Sequence, residues 1–164
     1  MKKGFTIIEV ALVLAIAGMI ILLAFIALPG LQRSQRDSER KDDMMMLADA
    51  VKKFQTNNNR GALPKSADEL SQIKSSFLKN DFDDPDGYQY LFVYDGCTDV
   101  SNAGAGCAAA NNALSKETFN THHIYFVAGA SCNDNSEAVK SSNARKAAIM
   151  YRLELADSIF CYDL

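Results

Sequence analysis

The sequence predicts an α+β fold: one long amino-terminal helix, membrane-spanning in its first half, whose second half packs on a four-stranded antiparallel sheet. Three observations carry this expectation. Residues Val10 to Leu28 include no charged side chain, and as a helix rising ~1.5 Å per residue they would cover about 28 Å, roughly one bilayer core. Met44, Leu47, Ala48, Val51 and Phe54 then recur at helical spacing and form a single apolar stripe, which needs a partner surface. The last third of the chain supplies that surface in segments rich in aromatic and β-branched residues, the composition of strands.

Taken in order, the chain begins with a short basic stretch, Met1-Lys2-Lys3-Gly4, followed by Phe5, Thr6 and an apolar run interrupted by Glu9. A carboxylate at the centre of a spanning helix costs on the order of 3 kcal/mol, less near an end, so Glu9 is expected to have a task. Pro29-Gly30 follows the run, and proline in a helix removes one backbone bond and clashes with the preceding turn, so a kink or a melted turn is expected there. Gly18 is a second weak point.

The helical pattern resumes over 31–57. Arg33, Arg36 and Arg40 precede the apolar stripe, and Asp37 stands four residues before Lys41, the spacing of a helix-surface ion pair. This part reads as a solvated stalk that buries only its last turns. The Met44-Met45-Met46 run reads as packing by flexible side chains rather than a metal site. Gly61 suits a left-handed helix cap, and Ser66 with Glu69 three residues on is a capping-box pattern. That pattern opens a short helix to about Lys79, with Leu70, Ile73 and Phe77 on one face. Asp84-Pro85-Asp86-Gly87 is a turn. Strands are expected at 88–94, 122–128, 147–154 and 158–162, with loops over 95–117 and 131–146. In the third strand Ile149, Tyr151 and Leu153 alternate with Met150, Arg152 and Glu154, as in a half-buried strand.

The leader carries a family resemblance. A basic stretch ending in Gly4, then Phe5, Thr6, and a Glu one helical turn after the Phe, all opening a long apolar helix, resembles the class III leader of type IV pilins and type II secretion pseudopilins. Gly61-x-Leu63-Pro64 and Asp84-Pro85-x-Gly87-x-x-Tyr90 are similar to the region joining stalk to sheet in that superfamily, and Cys161-Tyr162-Asp163 resembles the end of some cysteine-containing pilins. The resemblance implies cleavage after Gly4 by a membrane prepilin peptidase, methylation of the new amino terminus at Phe5, and a lollipop-shaped subunit. It implies that Glu9, with Phe5 and Thr6, serves assembly, the carboxylate meeting the terminal amine of a neighbouring copy. It also implies a helix segment bracketed by Gly18 and Pro29 that can lose helicity in a filament. An ordinary secretory signal fits poorly, because its apolar region is shorter and Leu28-Pro29-Gly30 stands where a small-residue cleavage site belongs. An uncleaved signal anchor leaves Glu9 and the Gly4-Phe5 junction unexplained.

Charge and cysteines bound the remaining options. The net charge is −3, and loss of Lys2 and Lys3 with the leader takes it to −5; no basic stripe supports a nucleic-acid partner. Cys97, Cys107, Cys132 and Cys161 include no C-x-x-C pair, and an even count in a small exported head reads as two disulfides. Of the three pairings, Cys97 with Cys107 and Cys132 with Cys161 is favoured. Arg33, Arg36, Arg40 and Lys41 beyond the run outnumber Lys2 and Lys3 before it, which opposes an outside head by the positive-inside rule; leader and cysteines outweigh this.

No catalytic site is expected. His122 and His123 are adjacent, so on a strand they face opposite ways and cannot share a metal. Asp81, Asp83, Asp84 and Asp86 read as an acidic turn rather than a calcium loop, since the positions needing Gly and Glu hold Asp86 and Phe92. No nucleophile–base pair, phosphate loop or cofactor motif is present.

The expectation is therefore a leader at 1–4, a transmembrane or filament-core helix at 5–28, an amphipathic continuation at 29–57 and a pilin-like head at 58–164. The function it implies is a type IV pilin precursor: a single-pass membrane protein with its head on the outer face, which self-assembles into an extracellular filament with pilus or secretion machinery as partner. Adhesion, motility or uptake would follow from the filament. A type II secretion pseudopilin and a monomeric anchored binding domain are the alternatives.

Overall fold

The computed structural model describes residues 4–57, 61–78, 82–97, 104, 106–107, 111, 122–155 and 158–164. Two helices, α1 (Ile7–Asn57) and α2 (Ala67–Phe77), precede six strands: β1 (Leu91–Gly96), β2 (His123–Ala128), β3 (Ala130–Cys132), β4 (Ala138–Lys140), β5 (Ala147–Arg152) and β6 (Ile159–Asp163). At ~1.5 Å per residue α1 is about 77 Å long. It runs through Pro29 and Gly30 without a break, so no turn melts there. Proline forfeits one rung of the hydrogen-bond ladder, and the turns on either side carry the helix on.

The second half of α1 lies on the head. Met44, Leu47, Ala48 and Val51 are fully buried and meet Leu70 and Ile73 of α2, Ile124 and Phe126 of β2, and Ile149 and Tyr151 of β5. Ser66 caps α2, its Oγ accepting from Glu69 N at 3.2 Å, while the Glu69 carboxylate accepts from Lys65 N at 2.8 Å. Gly61 takes φ 80° and donates back to the Gln55 carbonyl, closing the end of α1 as only a residue without Cβ does cheaply.

The main sheet has the order β1-β2-β5-β6, with β1 parallel to β2 and the other two pairs antiparallel. The expected fully antiparallel sheet is thus corrected to a mixed one. The connection between Gly96 and His123 is long enough for the crossover that parallel neighbours require. A second departure lies in the expected loop at 131–146, where β3 and β4 form a small hairpin. Its tip is an Asx turn, Asn133 Oδ1 accepting from the N–H groups of Asn135 and Glu137.

That hairpin changes the burial of β5. Its inner face joins the main core, and Ala148 and Met150 on its other face join a second cluster with Val127, Ala130, Ala138 and the Cys97 and Cys107 sulfurs. β5 is therefore buried on both faces rather than on one. Disulfides join Cys97 to Cys107 and Cys132 to Cys161. The first closes the chain after β1, and the second ties the hairpin to β6.

The base of the head corrects the solvated stalk. Arg33 is exposed and Arg36 partly so, but Arg40 is fully buried. Arg40 Nε and Nη2 donate to the two oxygens of Asp84 at 3.1 and 2.8 Å, Nη2 also reaches Asp86 at 2.7 Å, and Nη1 reaches Asp37 and Glu154. Tyr151 Oη donates to Asp84 at 2.7 Å. Asp37 does not pair with Lys41; it accepts from the backbone N–H groups of Glu154 and Leu155 at 3.0 and 2.7 Å. Arg36 adds a fork to Glu154 and a contact to Asp86. Burial alone would raise the Asp84 carboxyl, but bonds from Arg40, Asp86 N–H and Tyr151 hold it below its ordinary value. The Arg36 bond, with help from Arg40 against burial, holds Glu154 at about 2.

Removing one partner of a buried ion cluster leaves the others uncompensated. Arg40→Met is therefore expected to cost about 3–5 kcal/mol in denaturant unfolding of the full chain in detergent, and Arg36→Ala less, since one side of Arg36 is open to water. A loss under about 1 kcal/mol for Arg40→Met, the scale of an exposed pair, would contradict the cluster's structural role.

The bridges close spans of 10 and 29 residues, for which chain entropy gives about 3 and about 4 kcal/mol. Peptide mapping without reductant should recover both pairs. Cys132→Ser with Cys161→Ser should destabilise more than Cys97→Ser with Cys107→Ser; the reverse order would contradict the entropic account.

Candidate functional site

The first residues of the described chain have nothing of the head against them. A Cβ on Gly4 would meet no atom within 4 Å, and Phe5 is 89% exposed. Met1, Lys2 and Lys3 lie outside the described residues. The Gly4–Phe5 bond thus lies on open backbone just ahead of α1.

Thr6 and Glu9 are brought together at the helix start. Thr6 N and Thr6 Oγ1 donate to Glu9 Oε2 at 3.1 and 3.0 Å, and Glu9 N lies 3.4 Å from Thr6 Oγ1. This is a capping box, with Thr6 as the cap and Glu9 satisfying the Thr6 N–H in return. A carboxylate in the first turn also lies at the positive end of the helix dipole. Thr6-x-x-Glu9 has the same signature as Ser66-x-x-Glu69 and is legible in the sequence by its spacing, although only the second is read there as a cap. Both bonds fall on Oε2, and among the described residues no donor reaches Oε1.

Beyond this turn α1 is hydrocarbon on every side. Every large apolar side chain from Ile7 to Leu31 is about half exposed or more, the span is long and apolar enough to cross a membrane, and its most apolar window is 0% buried. A helix apolar all round needs apolar surroundings all round, whereas a surface helix needs only one such face. The polar groups set into that surface are the Thr6 hydroxyl and the Glu9 carboxylate at its start.

The other candidate groups lie in the head. The four cysteines are paired as described above. Asp83 meets Lys74 Nζ at 3.0 Å, and Asp84 and Asp86 are held by Arg40, so these three carboxylates face cations of the protein itself; Asp81 lies outside the described residues. His122 stacks on Tyr88 with ring centroids 4.5 Å apart and has Nδ1 3.6 Å from Asp84, whereas His123 begins β2. Met44 is in the core, and Met45 and Met46 face outward from α1. The Arg40 cluster is not legible in the sequence, because its partners other than Asp37 are 44 residues or more away along the chain. Comparison of the chain with models of protein families, with curated proteins and with solved structures finds no match.

Proposed function

We propose that this chain is a type IV pilin precursor, cut after Gly4, methylated on Phe5, held in the membrane by α1 and assembled into an extracellular filament. The observation that carries the proposal is the all-round apolar first half of α1, continuous with a one-sided second half fixed to a disulfide-braced head. Such a helix is stable in lipid. It can leave lipid only for surroundings equally apolar, and the same helices of other copies provide them. Function then lies in packing rather than in bond chemistry.

Glu9 supplies register. In one copy the capping box offsets part of the cost of a carboxylate in hydrocarbon, using Oε2. Cleavage after Gly4 would create a cationic amine on Phe5, and the Oε1 side of Glu9 in a neighbouring copy is where it would pair. At ~4 Å and an effective dielectric of ~20 that pair gains about 4 kcal/mol before desolvation, enough to favour one stagger of neighbouring helices over others.

Glu9→Gln keeps acceptors for the capping box and loses the charge, whereas Glu9→Ala loses both. Both variants should retain cleavage, membrane insertion and a folded head, yet give severely reduced sheared, sedimentable protein at matched expression and without a compensating pilin. Wild-type yield from both would remove Glu9 from assembly. Mass spectrometry of the mature protein should find a methylated amino-terminal Phe5; an intact Met1, or a cut beyond Ala27, would overturn the processing step.

A further inference from the structure

Beside the Arg40 cluster lies a carboxylate of a different kind. Asp43 is 8% exposed, one turn beyond Arg40 on the same face of α1. Asp37, Asp84, Asp86 and Glu154 each meet a guanidinium, but among the described residues Asp43 bonds only to the neutral hydroxyl of Tyr90, at 2.8 Å. The charges that act on it most are of its own sign, Asp84 from the turn before β1 and Asp42 and Glu39 on α1, while the Arg40 guanidinium is turned onto Asp84. Tyr151 of β5, edge-on to Tyr90 at 5.9 Å, closes the site from the sheet, and His122 stands beyond Asp84. A buried carboxylate with one neutral donor and anionic neighbours is better accommodated uncharged.

We infer that Asp43 is a proton-binding site in the joint between α1 and the head, and that mild acidification tightens this joint by neutralising it. Tyr90 links the two parts directly, since its hydroxyl holds α1 while its ring packs on Phe82 with centroids 5.0 Å apart. A charged Asp43 weakens the same corner that Arg40 secures.

The sign follows from linkage. Burial pushes the Asp43 carboxyl up to about 6 from 3.8, with the Tyr90 bond opposing and Asp84, Asp42 and Glu39 adding to it. Between those values the folded chain holds a proton that the unfolded chain has released, so stability rises as pH falls through 6 and levels off near 4. Glu154 and Asp84 act oppositely, because their folded values are depressed. Their contribution is complete above the ordinary carboxylate range and is lost on stronger acidification. The joint is therefore firmest between about pH 4 and 5.

The full chain in detergent tests this by thermal unfolding. Between pH 7.5 and 5.0 the wild-type Tm should rise by about 5 °C from Asp43. Asp43→Asn should lose that share of the rise and melt above wild type at pH 7.5; subtracting the two profiles removes any part due to His122. The carboxyl carbon resonance of Asp43 should titrate near pH 6 in wild type, and higher in Tyr90→Phe, which lacks the donor to the charged form. Equal pH profiles for wild type and Asp43→Asn, or an Asp43 midpoint near 4, would overturn the proposal. The resonance decides the matter even if Asp43→Asn fails to fold.

Discussion

One helix must satisfy two different surroundings along a single axis, and the rest of the structure follows from how it does so. From Val10 to Leu31 the side chains of α1 are apolar on all sides and uncovered by the head; from Arg36 onward one face is buried and the other open. The change of regime is marked by charge. Arg40 would be prohibitively placed were it unpaired, and it becomes the fixing point of the molecule because carboxylates reach it from α1, from the turn before β1 and from the chain after β5. Buried ion clusters add little net stability over a well-packed apolar equivalent, but losing one member strands the charges of the rest. Here the cluster ties α1 to the head.

The head manages a small core by dividing it. Its main cluster lies between the helices and one face of the sheet, and the second lies between the other face and the β3–β4 hairpin. Three-residue strands contribute little alone. The Cys132–Cys161 bridge and the bond from Cys132 N to Asp163 hold the hairpin against β6, which is how so short an element covers Met150. A head braced in this way gives up some hydrophobic area and recovers stability by restricting the unfolded chain.

How much of this was legible depends on the range of each interaction. The Ser66 cap, the α2 stripe, the left-handed Gly61 and the positions of the four main strands depend on near neighbours, and periodicity or turn chemistry displays them. Strand direction is invisible locally, since Leu91 to Gly96 has the same composition whether its neighbour runs with it or against it; the mixed sheet could not be read. Arg40 looked solvated because its partners Asp84 and Glu154 are remote in sequence, and β5 looked half-buried because the hairpin covering Met150 was too short to register. At the candidate site Glu9 was evident as a charge in an apolar run. Its partnership with Thr6 was equally local and was missed, although the spacing announces it.

We propose that the apolar half of α1 exchanges lipid for copies of itself outside the cell. It is tested most directly by electron microscopy of material sheared from cells that express the protein, labelled with antibody to the head. Thin fibres labelled along their whole length are expected. Label confined to membrane fractions, with no labelled fibre at matched expression, would contradict the proposal and leave α1 as an anchor alone.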